Sequence, residues 1–308
     1  MVALAVTACG DTGSEKQTAS SALRKHAPIS STLRHFVSMA PSNTELIYAL
    51  GAQDQLAGVC TQCDYPPEVK SKDRLGDFEH ANLEKLATVQ PDAVLLVDGQ
   101  EPMQATIEKQ TAFRTRVMMM HNVSIRDIAS NLRVLGAKTG HSKRGFDLAD
   151  EFDDGWQTVE RIGRNAATRP KVFFCVWPEP LITIGNSSYL NDAVTVSGGT
   201  SISANLEGAY PRYSVEKLVV EDPDVIIMPA EADHSLINKA PWTSLKAVKN
   251  KHLYFLPPRK DDRLSRPTVR VLEGLFWLEE RIHPECQEQI SMSKNSISHL
   301  ITTGSPNP

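Results

Sequence analysis

The chain has 308 residues, of which 41% are hydrophobic and 23% charged, and its formal net charge is −4. Nucleic-acid binders carry a basic excess, so nothing in this balance suggests a polyanionic partner, and no apolar run approaches the ~18 residues of a membrane-spanning helix. A chain this long exceeds what one hydrophobic core organises, so two lobes of roughly 100 to 200 residues are expected.

The first ten residues, MVALAVTACG, run small and apolar from Val2 to Ala8 and end at Cys9. Val6-Thr7-Ala8-Cys9 resembles a bacterial lipoprotein box, in which the peptide is cut before the cysteine and the thiol is lipidated. A buried N-terminal strand is the other reading of the same run. Gly10 to Ser21 is polar and small, as a tether would be. Residues 1–33 are therefore expected to be a signal remnant, a lipidated Cys9 and a tether.

The first lobe, 34–140, opens with a predicted strand at Phe36 to Met39 and passes through Ala40-Pro41-Ser42-Asn43 into a helix closed by Gly51. In that helix Leu46, Ile47 and Leu50 share one face. Cys60-Thr61-Gln62-Cys63 has the CxxC spacing of a redox pair or half of a zinc site, neither of which is favoured, and the second pair a zinc site needs is lacking. Export permits a disulfide among Cys60, Cys63, Cys175 and Cys286, with a pairing the sequence leaves open. A helix near Met103 to Phe113, a strand at Val117 to Met120 and a helix through Ile125, Ile128, Leu132 and Leu135 follow, with Gly136 expected as the C-cap.

Residues 141–168 hold Phe152, Trp156, Val159 and Ile162 at helical spacing. A helix of ~24 residues would extend about 36 Å, enough to bridge two lobes as a brace. The second lobe, 169–308, repeats the grammar of the first. A strand at Lys171 to Trp177, with Cys175 as a small core residue, is followed by a helix near Tyr189 to Ser197, a strand at His252 to Leu256 and a helix through Val271, Leu275, Trp277 and Leu278. The polar tail, Ser291 to Pro308, is expected to fray at its end.

One phrase occurs twice. Leu83 to Leu96 reads LEKLATVQPDAVLL, and Val215 to Met228 reads VEKLVVEDPDVIIM. Each is a short helix with a capping residue, Asn82 or Ser214, a first-turn glutamate, then Pro-Asp and a continuous apolar run. Continuous runs belong to parallel strands covered on both faces. The fold class expected is α/β, two similar lobes with mainly parallel sheets joined by one long rigid helix. No G-x-S-x-G, H-E-x-x-H, Walker loop or strand-following G-x-G-x-x-G occurs, which argues against the enzyme classes those motifs mark.

Taken in order, SMAPSNTELIYALG, CDYPPE, NLEKLATVQPD, VWPEPLITIGNSSYLNDAVTVSGG, YPRYSVEKLVVEDPDVII, APWTSLKAVKN and RPTVRVLEGL make the chain similar to the bacterial periplasmic cobalamin-binding proteins, receptors with a helical backbone that serve ABC transporters. The match runs from about Phe36 to about Glu285. The wider group also binds siderophores and haem, and the choice of cobalamin rests mainly on Asp64-Tyr65-Pro66-Pro67 and the segment after it.

The resemblance implies a ligand gripped between the lobes and no cofactor, cobalamin being the transported ligand. A flat corrin needs rigid aromatic walls and a few donors. The candidates are Tyr65, Phe78 (where the family has a tryptophan), Tyr210 and Trp177, which ends a second-lobe strand; core filling is the plain alternative for each. Trp242 reads as packing under the lobe. Asp262 and Arg266, with Asp261, are candidate polar contacts from the second lobe, a solvated charge run being the alternative. His80 and Cys63 are chemically competent metal ligands near the expected cleft. Glu84 and Glu216 are implied to face an ABC permease dimer, with its ATPase, one per lobe. The remaining expectations are a monomer in the periplasm or at the cell surface, held to the membrane by a lipid on Cys9, that binds without turnover and has no nucleic-acid partner.

Overall fold

The computed structural model describes residues 32–110, 115–258 and 263–302, so Cys9, Asp261 and Asp262 lie outside the described residues. The first lobe is built on strands β1 (Phe36–Ser38), β2 (Leu56–Val59), β3 (Ala93–Val97) and β4 (Arg116–Met120). They form an all-parallel sheet in the order β2-β1-β3-β4. Every residue of β1 and β3 is buried, which is why their sequences run apolar without alternation. Helices α1 (Pro41–Leu50), α2 (Leu83–Val89), α3 (Glu101–Lys109) and α4 (Ile125–Thr139) connect and flank them. Gly51 ends α1 in the left-handed region, at φ 77°.

Helix α5 (Ser142–Asn165) has 24 residues and buries Phe152, Trp156, Val159 and Ile162 along one side. At the expected C-cap Gly136, α4 continues for three more residues and closes at Gly140, with φ 81°. The reason is packing. A Cβ on Gly136 would lie 2.9 Å from the Gly145 Cα of α5, so the glycine lets two backbones touch where the brace meets the first lobe. At the other end of α5, a Cβ on Gly163 would lie 2.7 Å from the Gly198 backbone nitrogen of the second lobe.

The second lobe contains β5 (Lys171–Pro178), β6 (Leu181–Thr183), β7 (Thr200–Ser201), β8 (Val225–Met228) and β9 (Leu253–Phe255). The order is β6-β5-β8-β9, with β7 beside the start of β5, and all pairings are parallel except β5 with β6. Its helices are α6 (Tyr189–Val196), α7 (Val215–Glu221), α8 (Lys246–Lys249), α9 (Val271–Ile282) and α10 (Gln287–Thr302). The molecule is thus a two-lobed α/β protein with mainly parallel sheets. The polar tail begins inside α10, which is helical to Thr302: Ile290 is fully buried and Lys294 pairs with Glu280 of α9, while the expected fraying at the tail's end lies outside the described residues. A polar helix whose partner is another helix carries too weak an apolar stripe to be read alone.

The duplicated phrase folds twice into the same device. Asn82 Oδ1 accepts from the Lys85 N–H at 3.0 Å, and Ser214 Oγ accepts from the Lys217 N–H at 3.1 Å. Each helix then ends on a left-handed residue, Gln90 at φ 50° or Asp222 at φ 40°. The Pro-Asp that follows ties down the first strand of its own lobe: the Asp92 carboxylate accepts from the N–H groups of Arg34 and His35, and that of Asp224 from the N–H of Lys171. The aspartates are therefore architectural.

Glu279 of α9 is fully buried. Burial pushes its carboxyl up to about 8 from an ordinary 4.5, and neighbouring Glu280 adds to the rise. A carboxyl raised in the folded state contributes fully below its unfolded value and loses that contribution as pH climbs through the folded value. Stability should therefore fall between about pH 4.5 and 8, by a few kcal/mol for a shift of this size. Urea unfolding at pH 6 and pH 9 should show a steeper loss for the parent than for Glu279→Gln, and equal slopes would refute the assignment.

Candidate ligand-binding site

Open parallel sheets bind ligands beyond the carboxyl ends of their strands. In the first lobe those ends lead into Met39-Ala40, Cys60 to Tyr65, Asp98 to Gln100, and His121-Asn122. Gln100, only 2% exposed, fixes this edge: its Nε2 donates to the carbonyls of Met39 at 2.9 Å and Phe78 at 2.6 Å, while its Oε1 accepts from the Val97 N–H. Phe78 is held there with its side chain exposed.

Across from this edge, the segment leading into α9 sends two arginines into the first lobe. Arg266 Nη1 donates to Glu45 Oε1 of α1 at 2.9 Å and to Asp64 Oδ1 at 2.6 Å. Arg270 Nη1 donates to Glu45 Oε2 at 3.1 Å, and its guanidinium lies 3.7 Å above the centre of the Tyr65 ring. Glu45 and Arg270 are 5% and 6% exposed. Burial pushes the Glu45 carboxyl upward, and the two guanidiniums pull it back. The set is an interlobe clasp of one buried carboxylate, two cations and an aromatic face. Tyr65, a candidate wall, is half-buried within it, and Arg266, a candidate ligand contact, spends its charge on first-lobe carboxylates.

At the carboxyl ends of β5, β8 and β9 the second lobe holds a cavity of about 600 Å³. Phe174, Val176, Leu190, Leu256 and Trp277 give it apolar walls, and the half-exposed Tyr210 lines it as well. Its polar groups include Glu231, Lys294 and the Arg263–Glu273 ion pair. Leu264, another lining residue, is held from α6, where the Tyr189 hydroxyl donates to its carbonyl. An aromatic, mostly apolar concavity with a few fixed charges suits a large flat ligand with polar arms.

Trp177 lies outside that lining, 44% exposed, with its Nε1 donating to the Glu179 carbonyl at 2.7 Å. His80 is exposed beside Asp77, whereas Cys63 is 1% exposed and cannot meet a ligand's metal. The thiols of Cys60, Cys63, Cys175 and Cys286 are free, with the Cys60 and Cys63 sulfurs 3.0 Å apart. Cys175 and Trp242 are buried in a core cluster of the second lobe. Sequence reading missed Glu45, Asp64 and Arg270 as clasp members. The i, i+4 spacing of Arg266 and Arg270 was the available signal, and nothing local reports that a glutamate four residues into a helix faces inward.

Glu84 and Glu216 stand in the first turns of α2 and α7 with exposed side chains. Glu216 accepts from the Ser214 hydroxyl at 2.6 Å, which holds its carboxyl below the usual range. No helix among the described residues is long and apolar enough to cross a membrane.

A model of the family described as periplasmic binding protein matches residues 37–260. A vitamin B12-binding protein of Vibrio cholerae is 28% identical over 245 residues, 78% of this chain and 85% of the relative. An uncharacterized ABC transporter substrate-binding lipoprotein of Bacillus subtilis, YvrC, is 28% identical over 258 residues, 82% of this chain and 81% of the relative. Among solved structures, the periplasmic vitamin B12-binding protein BtuF of Vibrio cholerae superposes with a TM-score of 0.71 at 25% identity, covering 85% of this chain and 98% of that one. With the two-lobed fold, the open strand ends and a family match over most of its length, this chain belongs to the periplasmic binding protein family, the exported receptors that pass a ligand to the membrane permease of an ABC transporter.

Proposed function

We propose that the protein captures cobalamin or a related corrinoid between its lobes and delivers it, chemically unchanged, to an ABC permease dimer. The observation that carries this reading is an exposed aromatic at the strand ends of each lobe, Phe78 on one and Tyr210 on the other, in a chain similar to vitamin B12-binding proteins. A corrin macrocycle offers apolar edges to such walls and amide arms to the charged groups around them. Glu84 and Glu216 are the paired docking residues, one on each lobe. A lipid on Cys9, ahead of the tether in the 1–33 segment, holds the receptor outside the cytoplasmic membrane, and the binding unit acts as a monomer with a first lobe of 34–140, a brace of 141–168 and a second lobe of 169–308.

Gel filtration after mixing with cyanocobalamin, haemin and a ferric siderophore tests the reading. The corrinoid colour should co-elute with the protein and return intact on denaturation. Retention of haemin or the siderophore in its place would overturn the ligand, and a chemically altered corrinoid would overturn transport. Tyr210→Ala should weaken corrinoid binding by about 1 to 3 kcal/mol, as truncation of an aromatic anchor does.

A further inference from the structure

Just beyond β4, His121 is held in a manner that simple exposure does not require. Its Nδ1 lies 2.6 Å from Asp98 Oδ1, past the end of the neighbouring strand β3. A carboxylate only accepts, so Nδ1 carries the hydrogen, and in the neutral ring the lone pair is on Nε2. Asp98 is itself fixed, its other oxygen accepting from the Asn122 N–H at 2.7 Å. The backbone is fixed too, for the Asn131 amide donates to the His121 carbonyl at 2.9 Å. The imidazole is nevertheless 72% exposed.

The segment that follows the site reaches the other lobe. Four residues on, the Ile125 N–H donates to Asp192 Oδ2 of α6 at 2.8 Å, and α6 also supplies Leu190 to the second-lobe cavity. A histidine whose Nδ1–H is given to a carboxylate, with Nε2 presented outward, is the arrangement that orients metal-ligating imidazoles. Among the described residues no three His, Cys, Asp or Glu side chains gather as a cage for a bare ion. A single oriented imidazole instead suits a metal that arrives with its equatorial positions already filled by a macrocycle. No described hydroxyl or thiol hydrogen-bonds Nε2, so the pair has no nucleophile to activate.

We propose that His121 Nε2 is an axial ligand to the central cobalt of the bound corrinoid, with Asp98 as its positioning residue. This rests on the corrinoid reading above and adds the atom that meets the metal. The step is a ligand exchange: the cobalt(III)–water bond breaks, the water leaves with its electron pair, and the Nε2 lone pair forms the new bond without change of oxidation state. The receptor therefore distinguishes corrinoids by their exchangeable axial group, favouring aquocobalamin over cyanocobalamin.

The test is absorption spectroscopy and calorimetry with those two corrinoids and with haemin. On binding wild type, aquocobalamin should change from a water-ligated to a nitrogen-ligated spectrum, and cyanocobalamin should not exchange its cyanide. Aquocobalamin should also bind about tenfold or more tightly than cyanocobalamin, the scale on which an oriented ligand acts. In His121→Ala the spectral change should vanish and that ratio fall toward one, and Asp98→Asn should lower the ratio part of the way. Binding of both corrinoids with the same aquocobalamin spectrum in wild type and His121→Ala would overturn the axial role and leave the corrinoid reading standing. Failure of both corrinoids to bind would overturn that reading and the inference with it. A nitrogen-ligated spectrum on haemin alone, lost in His121→Ala, would overturn the assignment to cobalt.

Discussion

Glu45→Ala should destabilise the protein by about 3 to 5 kcal/mol, the usual consequence of removing one partner from a buried ion pair. The carboxylate receives Arg266 at 2.9 Å and Arg270 at 3.1 Å, and its loss leaves the buried Arg270 stacked on Tyr65 with no ion-pair partner among the described residues. Arg266 keeps Asp64 and suffers less. Adding Arg270→Met to Glu45→Ala should recover part of the loss, because the orphaned charge goes with it. Urea unfolding of the single and double variants measures this. A loss below about 1 kcal/mol for Glu45→Ala would show that water or a rearranged arginine replaces the clasp. The clasp also bears on the architecture, since it joins the two lobes directly in addition to α5.

Replacing both Glu84 and Glu216, the residues proposed to dock, should abolish most transport while leaving the receptor intact. Glu84→Gln and Glu216→Gln keep side-chain shape and remove a charge that no described group of opposite sign neutralises, so folding should change little. Transporter-coupled uptake should drop several-fold in each single variant and at least about tenfold in the double, because charge pairs at an interface govern encounter and register. Complex formation by the parent with its permease should weaken as salt is raised, and the double variant should be less salt-sensitive. Asp92→Asn and Asp224→Asn are the informative contrast. These carboxylates hold strand backbones, so their loss should appear in thermal unfolding first. If the glutamate variants lost thermal stability and docked normally, the repeated phrase would record only how each lobe is folded.

Within its own span, the repeated phrase was readable because its physics is local. A cap, a first-turn glutamate, a proline and a buried run act within fifteen residues, and both copies fold alike. The brace was readable for the same reason, as four apolar residues at helical spacing lie on one side of α5. Gly136 shows where local reading stops. A glycine near a helix end looks like a cap, yet here its missing side chain serves a second helix whose approach is encoded elsewhere.

The sequence by itself determined the α/β class and the two lobes, through chain length and a repeated phrase, and the helix between them and the two first-turn glutamates, through periodicity and capping within one segment. Only the tertiary structure decided which polar groups form a site. Glu45 meets Arg270 across 225 positions and Arg266 meets Asp64 across 202, while Asp98 reaches His121 only because β3 and β4 pair in parallel. Charges and lone pairs act over a few ångströms of space, and strand order and lobe packing, which no single segment contains, set those distances.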